Sequence, residues 1–511
     1  MLLKNKGMIM KSTIDLSLTK NQDYALYVPA LSSSYCHWAS MWEDKINQVD
    51  KNGQLKFGNR QPKGLSKDAR ELYFLDKNNG CFHYNAALYS AGHAEIFDLQ
   101  QSQKNEALVH TRDKNSLIIA DSGGFQIASC ASGSSVSKFD WKNPKGQQSD
   151  DVRLAILRWM ESIADYSMML DVPTYTIQNP KSPVNSFQEC IDLTKYNADF
   201  FVKNRVPGAT KILNTLHGRT KDESDIWWDV FKDYPFEGWA IGGVVKHNME
   251  LFLRRLLIMR DGGYLGKEQK WLHVLGASRL STSCILTEIQ RSIRKTVNED
   301  FSISYDSASP FVVASKGHVY TQNAFEGGKK NPRFSYVTHK MIECLEAVGS
   351  DKPFPFASAP GKLMTLGDIC VRDPAVTGTA TTWDSFSYVL LMWHNLYRQI
   401  DAIQEALRIY DMPSKQVISF IPSDILEFKE LCPEIFTSEK PFELIQKHRK
   451  MLHKITGVNG DTNVPVLDNV TSNLFTWDND AAEVHTDKDY EAYDASEGRE
   501  AELIDLDGQA A

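Results

Sequence analysis

The sequence predicts an α/β fold, a (β/α)8 TIM barrel with insertions and a helical C-terminal extension. Short apolar runs recur along the chain and end on a polar residue or a bare glycine pair. Amphipathic stretches of helical period lie between them, and the spacing of roughly 25 to 50 residues is that of repeated βα units. The first run, "CFHYNAALYSAG", starts at Cys81. It is followed by "SLIIAD" to Asp121, "YSMMLD" to Asp171, "KILNTLHG" to Gly218, "EGWAIGG" to Gly243, "WLHVLGA" to Ala277 and "FSISYD" to Asp306. Continuous apolar runs of this length suit strands covered on both faces, as parallel strands are. "NMELFLRRLLIMR" (Asn248 to Arg260) and "SCILTEIQRSIRKTV" (Ser283 to Val297) read as helices. Asp-Gly-Gly closes the first and serines precede the second, as stop and start signals should. An open doubly wound sheet is the competing architecture. The barrel is preferred because it gathers the C-terminal ends of many strands at one mouth, and five of the last six runs deliver a polar side chain or Gly-Gly there.

The expected organisation has four parts. Residues 1–78 pack on the barrel, and the barrel spans 79–410 with a basic, aromatic insertion at 316–340. A helical extension covers 411–475, and an acidic tail covers 476–511. "FSYVLLMWHNLYRQIDAIQEALRIY" (Phe386 to Tyr410) reads as a long amphipathic helix. The tail lacks aliphatic periodicity and is expected to be disordered.

With 511 residues, 42% hydrophobic, the chain can bury a large core. Its net charge of −8 is uneven: from Trp477 onward there are twelve Asp or Glu against two Lys or Arg, which leaves the preceding body near +2. Overall acidity therefore does not exclude a nucleic-acid partner. The eight cysteines are scattered without a CxxC pair, which fits a reducing compartment rather than a disulfide framework. No sustained apolar segment suggests a signal peptide or a membrane span. A soluble, cytoplasmic protein with no membrane partner is the expectation, and no P-loop or dinucleotide fingerprint calls for a nucleotide cofactor.

The chemistry concentrates in "LIIADSGGFQIAS", residues 117 to 129. Asp121 and Asp306 each close an apolar strand. Like charges partly withdrawn from water push their pKa values apart, so such a pair can divide the work of nucleophile and acid/base. The plainer alternative is that each carboxylate caps the helix after it; capping does not call for Gly-Gly, Phe and Gln directly behind. Gly123 and Gly124 let a ligand approach the backbone. Phe125 offers a flat face, and Gln126 a donor and an acceptor. Asp171 is placed to accept two adjacent donors, such as those on one edge of guanine. Gly242 and Gly243 are placed to offer a backbone N–H.

"ADSGGFQ" resembles the signature of the tRNA-guanine transglycosylases, and the order "MMLD", "NTLHG", "AIGG", "VLGA", "SYDSASP", "LLMWHNLY" is similar to theirs from Asp121 to Tyr397. The resemblance implies a barrel enzyme with Asp306 as nucleophile and Asp121 as general acid/base. It makes Phe125 the stacking ring. Ser122, Gln126, Asp171, His217, Gly242, Gly243, Leu275 and Gly276 become the base-binding groups.

Three departures bear on it. His217-Gly218 stands where the family carries glutamine-glycine. Only Cys370 and His394 remain of the family's structural zinc ligands, so a zinc site is expected to be absent or altered; Cys344 or His339 would complete one only after rearrangement. The segment after Asp306 is a longer insertion whose Lys316, His318, Tyr320, Lys329, Lys330, Arg333, Phe334 and Tyr336 interleave charge with rings, as nucleic-acid contact requires. These departures resemble the DNA-guanine transglycosylases of phages and bacterial DNA-modification islands, which place 7-deazaguanines in DNA. The expected partners are DNA and a 7-deazaguanine (pre-queuosine type) base, in the host cytoplasm if phage-encoded, with a homodimer open. The rival expectations are a tRNA-acting enzyme, a non-catalytic nucleic-acid-binding member of the superfamily, and a generic barrel glycosidase.

Overall fold

A computed structural model describes residues 24–456, apart from 50–52, 54, 56, 58–60, 129–133, 180, 181, 243–247, 267, 327–331, 342–344, 372–381, 414–416 and 418. The central sheet has eight strands: β1 (Leu26–Pro29), β2 (Ala86–Ser90), β3 (Leu117–Asp121), β4 (Tyr166–Met168), β5 (Lys211–Leu216), β6 (Gly238–Ile241), β7 (Trp271–Val274) and β8 (Ser302–Ser307). All pairings are parallel, in the order β1-β8-β7-β6-β5-β4-β3-β2. A parallel bridge between Ala30 and Leu88 joins the two ends of that order, where the Leu31 amide donates to the Leu88 carbonyl at 2.9 Å. The sheet is thus a (β/α)8 barrel with a thin seam between β1 and β2. Every residue of β2, β4 and β6 is buried, as expected for strands covered by side chains inside and helices outside.

Seven strands coincide with the apolar runs read from the sequence. The eighth corrects the domain boundary: β1 lies inside residues 1–78, the segment expected to pack on the barrel from outside. It pairs with β8 from Leu26↔Ser304 to Pro29↔Ser307.

A helix follows each strand: α1 (Ser33–Ser40), α2 (Leu99–Asn105), α3 (Gln147–Ile163), α4 (Phe187–Asn204), α5 (Lys221–Phe231), α6 (Met249–Asp261), α7 (Leu280–Thr296) and α8 (Ser385–Tyr410). Side chains cap several of them; Asn248 accepts from the Leu251 amide at 3.1 Å and starts α6. Between β8 and α8 the insertion forms a short helix, Ser309–Ser315, and then an antiparallel hairpin of β9 (His318–Glu326) and β10 (Arg333–Lys340). α8 buries most of its length against α1, α7 and β9, the polar residues His394, Asn395 and Gln399 included. Beyond it, α9 (Ser423–Thr437), α10 (Pro441–Lys447) and α11 (Arg449–Ile455) pack on α6 and α7. Arg260 donates to the Phe436 carbonyl at 2.8 Å across that contact. Among the described residues no helix is long and apolar enough to cross a membrane. The acidic tail lies outside the described residues.

Candidate active site

Because the eight strands run in parallel, their C-terminal ends share one mouth. Asp121 ends β3, Asp306 lies one residue before the end of β8, and Asp171, His217, Gly242, Leu275 and Gly276 follow β4, β5, β6 and β7. The expectation that these strand ends converge is met.

Asp121 accepts a hydrogen bond from Ser90 Oγ at 2.7 Å, across the β2–β3 pair. Its carboxyl is pushed up to about 6. Burial is the main cause, and the charges of Asp171 and Asp306 push the same way, while the Ser90 hydroxyl pulls against them. Asp306 is in a different setting. Its Oδ1 accepts from the Gly276 amide at 2.7 Å and faces His273 Nε2 at 3.1 Å. The two carboxylates thus feel each other's charge but hold different partners, a serine hydroxyl for Asp121 and a backbone amide and an imidazole for Asp306.

The glycine pair behind Asp121 is there for lack of room. Gly123 has φ +76°, and a Cβ on it would lie 2.8 Å from the Gly92 amide; a Cβ on Gly124 would lie 2.4 Å from the Asp171 carbonyl oxygen. Close backbone approach binds the end of β3 to the loop after β4, so that Asp171 sits beside the turn. Gly124→Ala must push that carbonyl away. It is expected to cost about 1–3 kcal/mol of stability, read as a lower melting temperature; an unchanged melting temperature would contradict the contact.

Asp171 and His217 are both buried, and Asp171 Oδ2 meets His217 Nε2 at 2.6 Å. Two expectations are corrected here. Asp171 does not hold both oxygens open for a ligand, because the imidazole N–H takes one of them. His217 does not stand free in place of a glutamine: its Nε2 is committed to Asp171, and its Nδ1 has no hydrogen-bond partner among the described residues. That nitrogen lies 3.5 Å from where a Cβ on Gly242 would be, and Leu275 Cδ1 lies 3.1 Å from the same point. Gly242, Leu275 and the open edge of His217 therefore border one space. Gly243 lies outside the described residues.

Phe125 is half-buried at the mouth, and Gln126 is buried with its side chain against Gly92. Ser122 departs from expectation: it is fully buried, with its hydroxyl directed at the Met169 carbonyl at 3.5 Å, so it braces the turn. Gly276 has a second role beyond walling a pocket, since its amide holds Asp306.

Sequence reasoning missed Ser90 and His273. The first sits in "YSAG", a run of small residues that reads as a turn. The second was visible as a polar residue inside the apolar run "WLHVLGA", but a lone histidine in a strand carries no direction.

In the hairpin, Lys316 is exposed and His318 half-buried. Burial, with Lys340, Lys316 and His339 close by, holds His318 below the usual imidazole value, so the two lysines and two histidines form one cluster at the hairpin's base. Tyr320 is corrected: it is buried at 2% exposure, its ring 4.9 Å from Tyr336, because β9 packs its apolar face on α8. Phe334 packs on Phe325 at 5.2 Å. Lys329 and Lys330 lie outside the described residues, as does the side chain of Arg333. Of the residues weighed for zinc, His394 spends both ring nitrogens on protein partners, Ser358 Oγ at 2.7 Å and the Tyr320 carbonyl at 2.8 Å, and burial lowers it to about 3. Among the described residues no group of three or more His, Cys, Asp or Glu is placed to hold a metal ion; Cys344 lies outside them.

No family model and no curated protein matches this chain.

Proposed function

We propose that the chain exchanges guanine in DNA for a 7-deazaguanine base through a covalent aspartyl-glycosyl intermediate. The observation that carries this reading is the pair of unlike carboxylates at one mouth: Asp121 pushed up to about 6, and Asp306 with one oxygen held by donors. A group that titrates near neutrality is suited to give a proton and take one back, and a neighbouring carboxyl group with one oxygen held and the other open is suited to attack.

In this reading the target nucleotide leaves the stack, since no side chain reaches the glycosidic carbon of a stacked base. A carboxylate oxygen of Asp306 bonds to the anomeric carbon as the bond to guanine breaks, and Asp121 supplies the proton that guanine takes away. The incoming base then gives its pyrrole proton to Asp121 and forms its carbon–nitrogen bond as the bond to Asp306 breaks. Two displacements retain configuration. Phe125 supplies the ring against which the base lies, while Asp171 and His217 read its edge. The cations Lys316 and Lys340, with His318 between them, suit a phosphate backbone.

The test is incubation of the purified chain with labelled guanine and either duplex DNA or tRNA. Label is expected in DNA and not in tRNA. Label in tRNA alone would move the reading to an RNA substrate, where the 2′-hydroxyl is tolerated or required; label in neither would remove the proposal.

A further inference from the structure

We propose that His273 is a positioning residue for Asp306, locked in one tautomer by Ser304 and Trp271, and that it selects Oδ2 of Asp306 as the attacking oxygen. This rests on the reading of Asp306 as the nucleophile.

Residues two apart on a strand share a face, so Trp271 and His273 on β7, and Ser304 and Asp306 on β8, line the inside of the barrel that Asp306 tops. Barrel interiors are normally filled with branched apolar side chains. Here His273 and Ser304 are both fully buried, and burying such groups is costly unless each hydrogen bond is made. They are made, in one column. Trp271 Nε1 donates to Ser304 Oγ at 2.9 Å, Ser304 Oγ lies 2.8 Å from His273 Nδ1, and His273 Nε2 lies 3.1 Å from Asp306 Oδ1.

The direction of the column follows from what each group can do. An indole N–H only donates, so it occupies a lone pair of Ser304, and the hydroxyl proton has no acceptor among the described residues other than Nδ1. The imidazole then carries its own proton on Nε2, aimed at the carboxylate. The opposite tautomer would set a ring lone pair against a carboxylate oxygen. Oδ1 thus receives two N–H donors, from His273 and Gly276, while Oδ2 has no donor among the described residues.

Oδ2 is therefore the oxygen that bonds to the anomeric carbon. In the resulting ester Oδ1 is the carbonyl oxygen. When the second displacement returns the bonding electron pair to Asp306, the two donors take up the charge that builds there. Of the titratable groups, His273 from β7 contacts Asp306, and Asp121 from β3 feels the charges of both Asp306 and Asp171.

His273→Leu should slow guanine exchange into DNA about ten- to a hundred-fold, the weight of one hydrogen bond to a charged group, with KM for guanine unchanged. The acid limb of its pH–rate profile should move to higher pH, because a carboxylate without its donor takes a proton more readily. His273→Gln, whose amide N–H reaches the same oxygen, should restore most of the rate and the limb; Ser304→Ala should fall between. A His273→Leu variant that folds and keeps the wild-type rate and profile overturns the positioning role alone. If the wild-type chain exchanges nothing, the reading of the site fails instead, and the column is judged by NMR of the full chain labelled with ¹⁵N-histidine. The neutral ring of His273 should then carry its proton on Nε2; a neutral ring with its proton on Nδ1 overturns it.

Discussion

Asp306→Asn is expected to reduce guanine exchange by about 10⁴-fold or more, the scale on which loss of a covalent nucleophile acts, while leaving the fold and nucleic-acid affinity in place. The expectation of a sound fold comes from the surroundings of the side chain. An asparagine carbonyl oxygen can still accept from the Gly276 amide and from His273 Nε2, the two donors that hold Asp306 Oδ1. What is lost is the oxygen proposed to attack, replaced by an amide nitrogen of negligible nucleophilicity. The measurement is single-turnover exchange with labelled guanine beside a binding titration with the same duplex. Residual exchange within ten-fold of wild type would remove Asp306 from the chemistry and return the site to a role in binding.

Asp121→Asn should lower exchange by about 10²–10⁴-fold, the usual contribution of a positioned acid/base. It should also make the protein more stable above about pH 6. The folded chain raises this carboxyl from 3.8 to about 6, so folding takes up a proton between those values. The stability this group contributes is greatest below the lower value, falls as the pH rises through the window and is constant above it. A neutral amide is free of that cost. The gain in stability is expected to be about 1–3 kcal/mol at pH 8 and close to zero at about pH 4. Melting temperatures at the two pH values decide it: a variant stabilised equally at both, or at neither, would mean that the charge on Asp121 is not what strains the site. A trade of stability for reactivity is common where a site needs a group held out of its solution state.

Much of the barrel is legible in the sequence because its strands are short apolar runs that end abruptly, and a buried parallel strand has little else to offer. β1 is the instructive failure. "LYVP" is four residues long and is flanked by residues that serve α1 and the seam, so periodicity has nothing to grip. Its place is set by a partner strand far along the chain, a tertiary fact. At the site, Asp121, Asp171 and Asp306 stand out because a carboxylate closing an apolar run is costly and needs a reason. The pairing of Asp171 with His217 was not visible, since each looked ready for a ligand and only geometry shows that they meet. Tyr320 misled for the opposite reason: an aromatic among lysines reads as a contact surface, and the alternation of β9 turns that ring inward.

The joining of β1 to β8 also sets an order on how the molecule comes into being. A ribosome delivers Leu26 early and Ser307 much later, and until then the first strand has only the slender Ala30–Leu88 bridge on its other side. The growing chain must carry an unsealed, apolar-edged sheet through most of its synthesis, the period in which chaperones are most needed. Asp306 arrives on the same strand that shuts the ring, so until β8 is made Asp121 has no carboxylate from that strand to face.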